Sequence, residues 1–170
     1  MNKRRSFLKL ASAAAIPVAV AAFSGESLRA DDGGGNQILG SWNSVHTLPF
    51  PPGSFREFLS FAEGGVMHET NSFLYTSSNV DFSSFGLPNV VNAADGVGNW
   101  ECLRTGSIHV VFRKLLFDGT RANFGDLRVT GTLNVRHSKL TANWHIEVLN
   151  LSGDLLLDFG SATSEGVRLA

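Results

Sequence analysis

The feature of this sequence that most constrains its fold is a two-residue alternation of apolar and polar side chains. In residues 140–148 every second side chain is apolar: Leu140, Ala142, Trp144, Ile146 and Val148. Residues 107–117 and 124–135 show the same alternation. Because successive side chains of a β-strand point to opposite faces of the sheet, each segment is predicted to be a strand with one dry face and one wet face.

Eight segments rich in β-favouring residues follow one another along the chain, separated by turn residues. They cover residues 38–48, 55–63, 66–75, 98–105, 107–117, 124–135, 140–150 and 155–169. Most connections are short, so consecutive strands are expected to lie side by side and run antiparallel. Eight antiparallel strands in sequential order remove both edges of a sheet by closing on themselves. The predicted fold class is therefore all-β, an eight-stranded antiparallel up-and-down β-barrel, with an open sandwich as the alternative.

The dry faces of these strands predict what lines the interior of the barrel. We expect an apolar lumen, with Lys114 near the end of the apolar face of residues 107–117. A barrel of eight strands has room for a filled core or for one small ligand. The residues expected to line the lumen and to contact a ligand are Phe61, Val110, Phe112, Val129, Trp144 and Ile146.

The connection formed by residues 76–97 is long for a compact domain, which marks it as functional or mobile. It carries phenylalanines and valines among serines and asparagines. Two interpretations remain open for this segment. It is either a lid over the mouth of the barrel or an insertion packed on the outside.

The first 30 residues have the pattern of an export signal. Arg4-Arg5 and the following Phe7-Leu8-Lys9 precede an alanine-rich apolar run from Leu10 to Phe23. At about 14 residues, this run is too short for a helix that crosses a bilayer. Apolar residues occupy every face of it, so it lacks the polar stripe of an amphipathic helix. The pattern resembles a bacterial twin-arginine signal peptide.

This resemblance implies a domain organisation and a compartment. We expect a signal peptide over residues 1–30, cleaved after Ala21 or Ala30, a flexible lead-in over 31–37, and one barrel domain over 38–170. The protein would be exported folded, with the twin-arginine translocase as its partner during export. We expect it in the periplasm or secreted, without a stable membrane span in the mature chain.

Charge and cysteine content restrict the partners and the chemistry. Of 14 Lys and Arg residues the leader holds five, and of 15 Asp and Glu it holds one, so residues 31–170 carry a net charge of −5. Nucleic acid is therefore not an expected partner. Cys102 is the single cysteine, which excludes a disulfide within the chain and a cysteine-based zinc site. The five histidines show no ligand spacing, so neither a metal nor a cofactor is expected.

Several short motifs resemble the calycins, the lipocalin-like superfamily. They are LGSW at 39–42, GVRL at 166–169, GVGNWE at 96–101 and FAEGG at 61–65. In that superfamily a first-strand tryptophan and a late basic residue pack across the closed end of the barrel. The resemblance implies that Trp42 and Arg168 form this pair here, and that the chain is similar to small exported bacterial lipocalin-like proteins.

His68 and Glu69 are the candidate catalytic residues. Because they are adjacent on a strand, one faces the lumen and the other faces solvent, and the pattern of residues 66–75 leaves open which one. A carboxylate or an imidazole inside an apolar barrel has a perturbed pKa and can act as an acid or a base. His109 and His145 are predicted to lie outside, and His46 is predicted to lie near a loop. Without an activating neighbour, Cys102 is predicted to be a small buried residue.

Two functional hypotheses follow from this sequence, alongside a barrel packed solid and used only for surface contacts. The first is a non-enzymatic exported protein that binds a small apolar molecule in the barrel lumen. The second is a metal-independent cyclase or isomerase, resembling the allene oxide cyclase barrels, in which Glu69 or His68 moves a proton of an apolar substrate.

Overall fold

The computed structural model describes residues 35–49, 52–71, 82–90 and 92–170. Within these ranges the chain forms nine strands: β1 Gly40–Pro49, β2 Pro52–Phe61, β3 Val66–Asn71, β4 Asn92–Ala93, β5 Gly96–Cys102, β6 Ile108–Phe117, β7 Asn123–Arg136, β8 Lys139–Asn150 and β9 Leu155–Arg168. One helical turn, α1, spans Gly35–Ile38, and a 3₁₀ turn spans Ser83–Phe85. The twin-arginine segment and most of the predicted lead-in lie outside the described residues.

The strands close into a barrel, which confirms the predicted fold class. The order around the barrel is β6, β5, β3, β2, β1, β9, β8 and β7, and β7 pairs with β6 again to close it. All of these pairings are antiparallel. The short β4 also pairs with β6, beyond the end of β5. Closure pairs every long strand on both sides, so the open sandwich is excluded.

Most strand boundaries differ from the predicted ones by one to three residues, and the ends of β5 and β3 are two examples. β5 ends at Cys102 because residues 103–106 form a tight turn, in which the Gly106 amide donates to the Leu103 carbonyl oxygen at 2.9 Å. β3 is assigned to Asn71, whereas its predicted end, Tyr75, lies outside the described residues. A third irregularity is the displaced register between β8 and β9 at Ile146 and Glu147, opposite Gly160. Gly160 has a φ of +75°, which a residue without a Cβ adopts at low cost.

One end of the barrel is closed by α1 and by the last residue of β9. Trp42 lies opposite Arg168 in the β1–β9 register, and the Arg168 guanidinium carbon is 4.6 Å from the centroid of the Trp42 ring. The Trp42 indole donates to the Ile38 carbonyl oxygen at 2.8 Å, and Arg168 donates to the carbonyl oxygens of Leu39 and Gln37. These contacts hold the helical turn across the closed end, with Ile38 fully buried beneath it.

We expect Arg168→Met to lower the free energy of unfolding by about 1–2 kcal/mol, because it removes the cation–π contact and the hydrogen bonds to α1. Urea denaturation followed by tryptophan fluorescence measures the loss. Arg136→Met is the matched control, since Arg136 is exposed at the β7–β8 turn, and it should change stability by less than about 0.5 kcal/mol. Equal losses in the two variants would contradict a specific role for Arg168.

The opposite end, where the β6–β7 and β8–β9 turns lie, is the mouth of the barrel. Phe82, Val90 and Ala93 are buried there against Leu116 and Val148. Leu116 and Val148 belong to the inward-facing sets of β6 and β8. The described part of the long connection therefore packs against inward-facing residues at the mouth.

Candidate functional site

The residues predicted to line the lumen all lie in the interior of the barrel. Each belongs to one hydrophobic cluster and is buried: Phe61, Val110, Phe112, Val129, Trp144 and Ile146. The closed half of this cluster is completed by aliphatic side chains, Met67 and Leu133 among them. This half of the lumen is apolar, as the alternation of the strands predicts.

The Trp144 ring is held in the middle of the lumen by contacts on several sides. Its indole nitrogen donates to the Ser164 hydroxyl at 2.9 Å, and its ring meets Phe112 edge to face at 5.9 Å. The ring lies over Gly131, where an added Cβ would sit 2.2 Å from Trp144 Cε3. Trp144 therefore packs against residues of β6, β7 and β9 inside the barrel.

The lumen also contains a polar region, which the expected apolar lumen, with Lys114 near its end and one of His68 and Glu69 facing inward, predicts only in part. Four ionisable side chains are 97 % or more buried there: His46, Glu57, Glu69 and Lys114. We call these four residues the lumenal polar cluster. The physical reason is register: β1, β2, β3 and β6 each direct a polar side chain inward, and Ser44 of β1 is buried on the same face as His46.

Glu69 and Lys114 form a buried ion pair within this cluster. The Lys114 Nζ lies 2.6 Å from Glu69 Oε2, and the Asn71 amide donates to Glu69 Oε1 at 2.6 Å. Burial raises the pKa of Glu69 above its ordinary value, the nearby Glu57 adds to the rise, and Lys114 and Asn71 oppose it. Gly96, opposite Glu69, leaves space for this pair, since a Cβ there would lie 2.8 Å from Glu69 Oε2.

His46 and Glu57 form the second part of the cluster, and their hydrogen-bonding capacity is unused. The His46 Nδ1 is 3.5 Å from Glu57 Oε2. Among the described residues, neither ring nitrogen of His46 nor Glu57 Oε1 has a hydrogen-bond partner, although all three atoms are buried. An unsatisfied buried polar group costs about 1–3 kcal/mol of folding free energy. Three such atoms at one site therefore indicate that a further group completes their hydrogen bonds.

Two aromatic rings are stacked on the His46 ring. The Phe55 ring lies at 4.8 Å with an interplanar angle of 10°, and the Trp144 ring at 5.9 Å with an angle of 21°. Because the ring nitrogens form hydrogen bonds in the plane of the imidazole, a partner reaches them along the edge of this stack.

Sequence reasoning missed His46 and Glu57, although a signal for them exists. Once Trp42 is taken as inward-facing, the period of two places Ser44 and His46 on the same face of β1. Glu57 shares the face of Leu59 and Phe61 in the same way. His46 was instead predicted to lie near a loop, because the polar residues obscure the alternation of the first strand.

The two candidate catalytic residues are separated by the wall of the barrel. Glu69 is buried in the lumen, whereas His68 is exposed on the outer face of β3. His145 and Arg113 also lie outside, beside Asp158 and Asp126 respectively. Of the predicted pair, only Glu69 is placed to contact a molecule in the lumen.

Cys102 is partly buried at the end of β5, and burial raises the pKa of its thiol. The neutral thiol is a weak nucleophile, so its position gives no reason to assign it a reaction. Across the described ranges, no three His, Cys, Asp or Glu side chains are grouped so as to hold a metal ion. The helices of those ranges are all too short and too polar to cross a membrane.

A cleft of about 720 Å³ opens on the outer surface beside the β7–β8 turn. Its lining consists of exposed side chains: Asn134, Arg136, His137, Ser138, Lys139 and Thr141. These side chains are solvated, so they lack the unmet hydrogen bonds of the lumenal polar cluster. We therefore treat the cluster as the candidate site.

No family model, curated protein or solved structure matches the chain in sequence or structure comparisons. The fold itself defines the class: an all-β protein with a closed, eight-stranded, antiparallel barrel and one additional short strand. This architecture is consistent with a calycin-like fold.

Proposed function

We propose that this protein is an exported, lipocalin-like member of the calycin superfamily that binds a small, largely apolar molecule in its lumen. The observation that carries the proposal is the buried, unpartnered His46–Glu57 pair. The architecture supports the assignment to the calycins, together with the Trp42–Arg168 contact across the closed end. The Arg4-Arg5 motif supports export to the periplasm or the medium by the twin-arginine translocase.

A barrel whose interior served only as a core would gain stability from apolar residues at positions 46 and 57. Polar groups that are buried without partners cost free energy, and replacing them with apolar residues of similar shape is often neutral or stabilising. Retaining an imidazole and a carboxyl group there is advantageous when a bound molecule completes their hydrogen bonds. The site then has an apolar body, formed by aromatic rings, and a few convergent polar groups, as ligand pockets usually do.

The ligand would enter from the mouth and occupy the half of the lumen between Trp144 and the connection that covers it. Phe82 and Val90 are the residues of that connection that must move aside, because they pack on Leu116 and Val148. The contacts between them are apolar, and in residues 82–90 and 92–95 the backbone hydrogen bonds to the barrel are those of Ala94 and of the short β4, beside a single bridge at Val90. Opening is therefore expected to cost less than separating two strands.

Native mass spectrometry of protein purified from its own host tests this function. We expect wild-type protein to retain a small molecule and His46→Phe to lose at least ~90 % of it, since phenylalanine keeps the ring stack and removes both nitrogens. His68→Phe is the matched control on the outer face and should retain the ligand. Equal retention by His46→Phe and wild type would place the ligand elsewhere.

A cyclase or isomerase without a metal is the second candidate, and one observation favours it. Glu69 is a lumenal carboxyl group whose pKa is raised by burial, and perturbed pKa values of this kind are common among catalytic acids and bases. Lys114, its ion-pair partner, would hold the carboxylate in place. His68 is not part of this candidate, because its side chain is on the outside.

The same mass-spectrometric experiment separates the two candidates through Glu69→Gln. If the protein is an isomerase, the variant retains a compound of the same mass as the wild-type ligand but of different chromatographic retention. If the protein only binds, both proteins release the same compound.

A further inference from the structure

We propose that the lumenal ligand is an uncharged molecule whose polar end is a hydroxyl group, and that the site discriminates against carboxylates. This inference rests on the proposed function and adds the chemical class of the ligand. It follows from three properties of the lumenal polar cluster: its hydrogen-bonding inventory, the access to His46, and the balance of its charges.

The unused donor and acceptors of His46 and Glu57 are best satisfied by a ligand group that both donates and accepts hydrogen bonds. A neutral imidazole has one N–H donor and one acceptor nitrogen, and a carboxylate oxygen only accepts. The unpartnered atoms of His46 and Glu57 therefore comprise one donor and two acceptors. A hydroxyl group donates one hydrogen bond and accepts up to two, so it satisfies an acceptor and the donor at the same time, which a carboxylate does not.

Access to His46 favours the same group. Phe55 and Trp144 are stacked on the imidazole, whose nitrogens bond in the ring plane, so a partner reaches the nitrogens along the ring edge. A hydroxyl group is a single heavy atom and fits such an approach. A carboxylate places two oxygens and their hydration at the same narrow position.

The charges that face the site disfavour an anion. Among the described residues, the groups directed into this half of the lumen are the carboxyl groups of Glu57 and Glu69, the Lys114 ammonium and the His46 imidazole. Lys114 is already paired with Glu69 at 2.6 Å, and Glu57 Oε2 is 3.5 Å from His46. A ligand carboxylate would place a further negative charge beside Glu57 in a medium of low dielectric, where repulsion is strong.

Two matched series of probes test the inference on unmodified wild-type protein. One consists of naphthalene, 2-naphthol and 2-naphthoate, and the other of decane, 1-decanol and decanoate. Equilibrium dialysis at pH 7.5 measures the dissociation constants. In at least one series we expect the alcohol to bind tenfold or more tightly than the carboxylate, and more tightly than the hydrocarbon.

Three variants test which residues cause the preference for alcohols over carboxylates. Glu57→Gln should narrow the preference for alcohol over carboxylate by at least about tenfold, because it removes the repelling charge and keeps the shape. His46→Phe should reduce alcohol binding to the level of the hydrocarbon, and His68→Phe should leave all affinities unchanged. The comparison of probes on wild-type protein stands even if a lumenal variant fails to fold.

The outcomes separate this inference from the proposed function. If a carboxylate binds as tightly as its alcohol, the inference is overturned while lumenal binding stands. If none of the six probes binds, both this inference and the proposal of lumenal binding are overturned.

Discussion

Replacing Lys114 with methionine is expected to lower the free energy of unfolding by about 3–5 kcal/mol at pH 7, because it leaves a buried carboxylate without its counter-charge. Lys114 and Glu69 have side chains that are 1 % and 0 % exposed, and they lie 2.6 Å apart. Methionine fills nearly the same volume, so the loss reflects the charge of Glu69 rather than a cavity. Urea denaturation monitored by circular dichroism measures it.

The pH dependence of this variant has a definite sign. Removing Lys114 raises the pKa of Glu69 further above its ordinary value, so the folded state binds a proton more tightly than the unfolded state. Between the ordinary pKa of a glutamate and this raised value, stability falls as pH rises. Part of the loss measured at pH 7 should therefore be recovered on acidification toward pH 5.

The double variant Lys114→Met with Glu69→Gln is the control, since it removes both charges. It should be more stable than Lys114→Met alone at pH 7, by several kcal/mol, and its stability should not show the Glu69 titration. A loss below about 1 kcal/mol for the single variant would mean that Glu69 reaches water or another cation, and it would remove the basis for a dry lumenal cluster.

Gly98→Ala is expected to destabilise the protein by about 3 kcal/mol or more, near the upper end of the usual cost of overpacking. A Cβ at position 98 would lie 2.0 Å from the Val111 carbonyl oxygen and 2.5 Å from Phe112 Cα. Both are backbone atoms of β6, which is paired with β5, so neither can give way without disrupting the register at Gly98 and Phe112. Thermal unfolding followed by circular dichroism measures the effect.

Gly119→Ala is the matched control for this substitution. A Cβ at position 119 meets nothing within 4 Å, and the residue does not have a positive φ. The substitution should change the free energy of unfolding by no more than about 0.5 kcal/mol. If Gly98→Ala changed the free energy of unfolding as little as Gly119→Ala, the backbones of β5 and β6 at Gly98 would have to lie farther apart than in the structure.

The lumenal polar cluster shows how this barrel differs from one that is filled only with apolar side chains. Most of the interior is apolar and stabilises the barrel by its burial, whereas the buried polar groups of the cluster cost stability. Such local conflicts with core packing are typical of functional sites. The ion pair of Glu69 and Lys114 is internally satisfied, whereas His46 and Glu57 leave capacity for a partner.

The sequence by itself determined the closed barrel, because alternation with a period of two and short turns is a local property of each strand. Where alternation is strong, as in residues 140–148, it also identified the inward-facing residues correctly. The sequence determined less about β1 and β2. Ser44, His46 and Glu57 occupy inward positions there and interrupt the alternation of apolar and polar side chains.

Only the tertiary structure decided which polar side chains meet. Glu69 and Lys114 are 45 positions apart, and His46 and Glu57 come together through the pairing of β1 with β2. Closure brings these residues together inside the barrel, and the stacking of Trp144 on His46 depends on β8, two strands away from β1. Distance along the chain carries no information about such contacts, because they are created by the register and the curvature of the closed sheet.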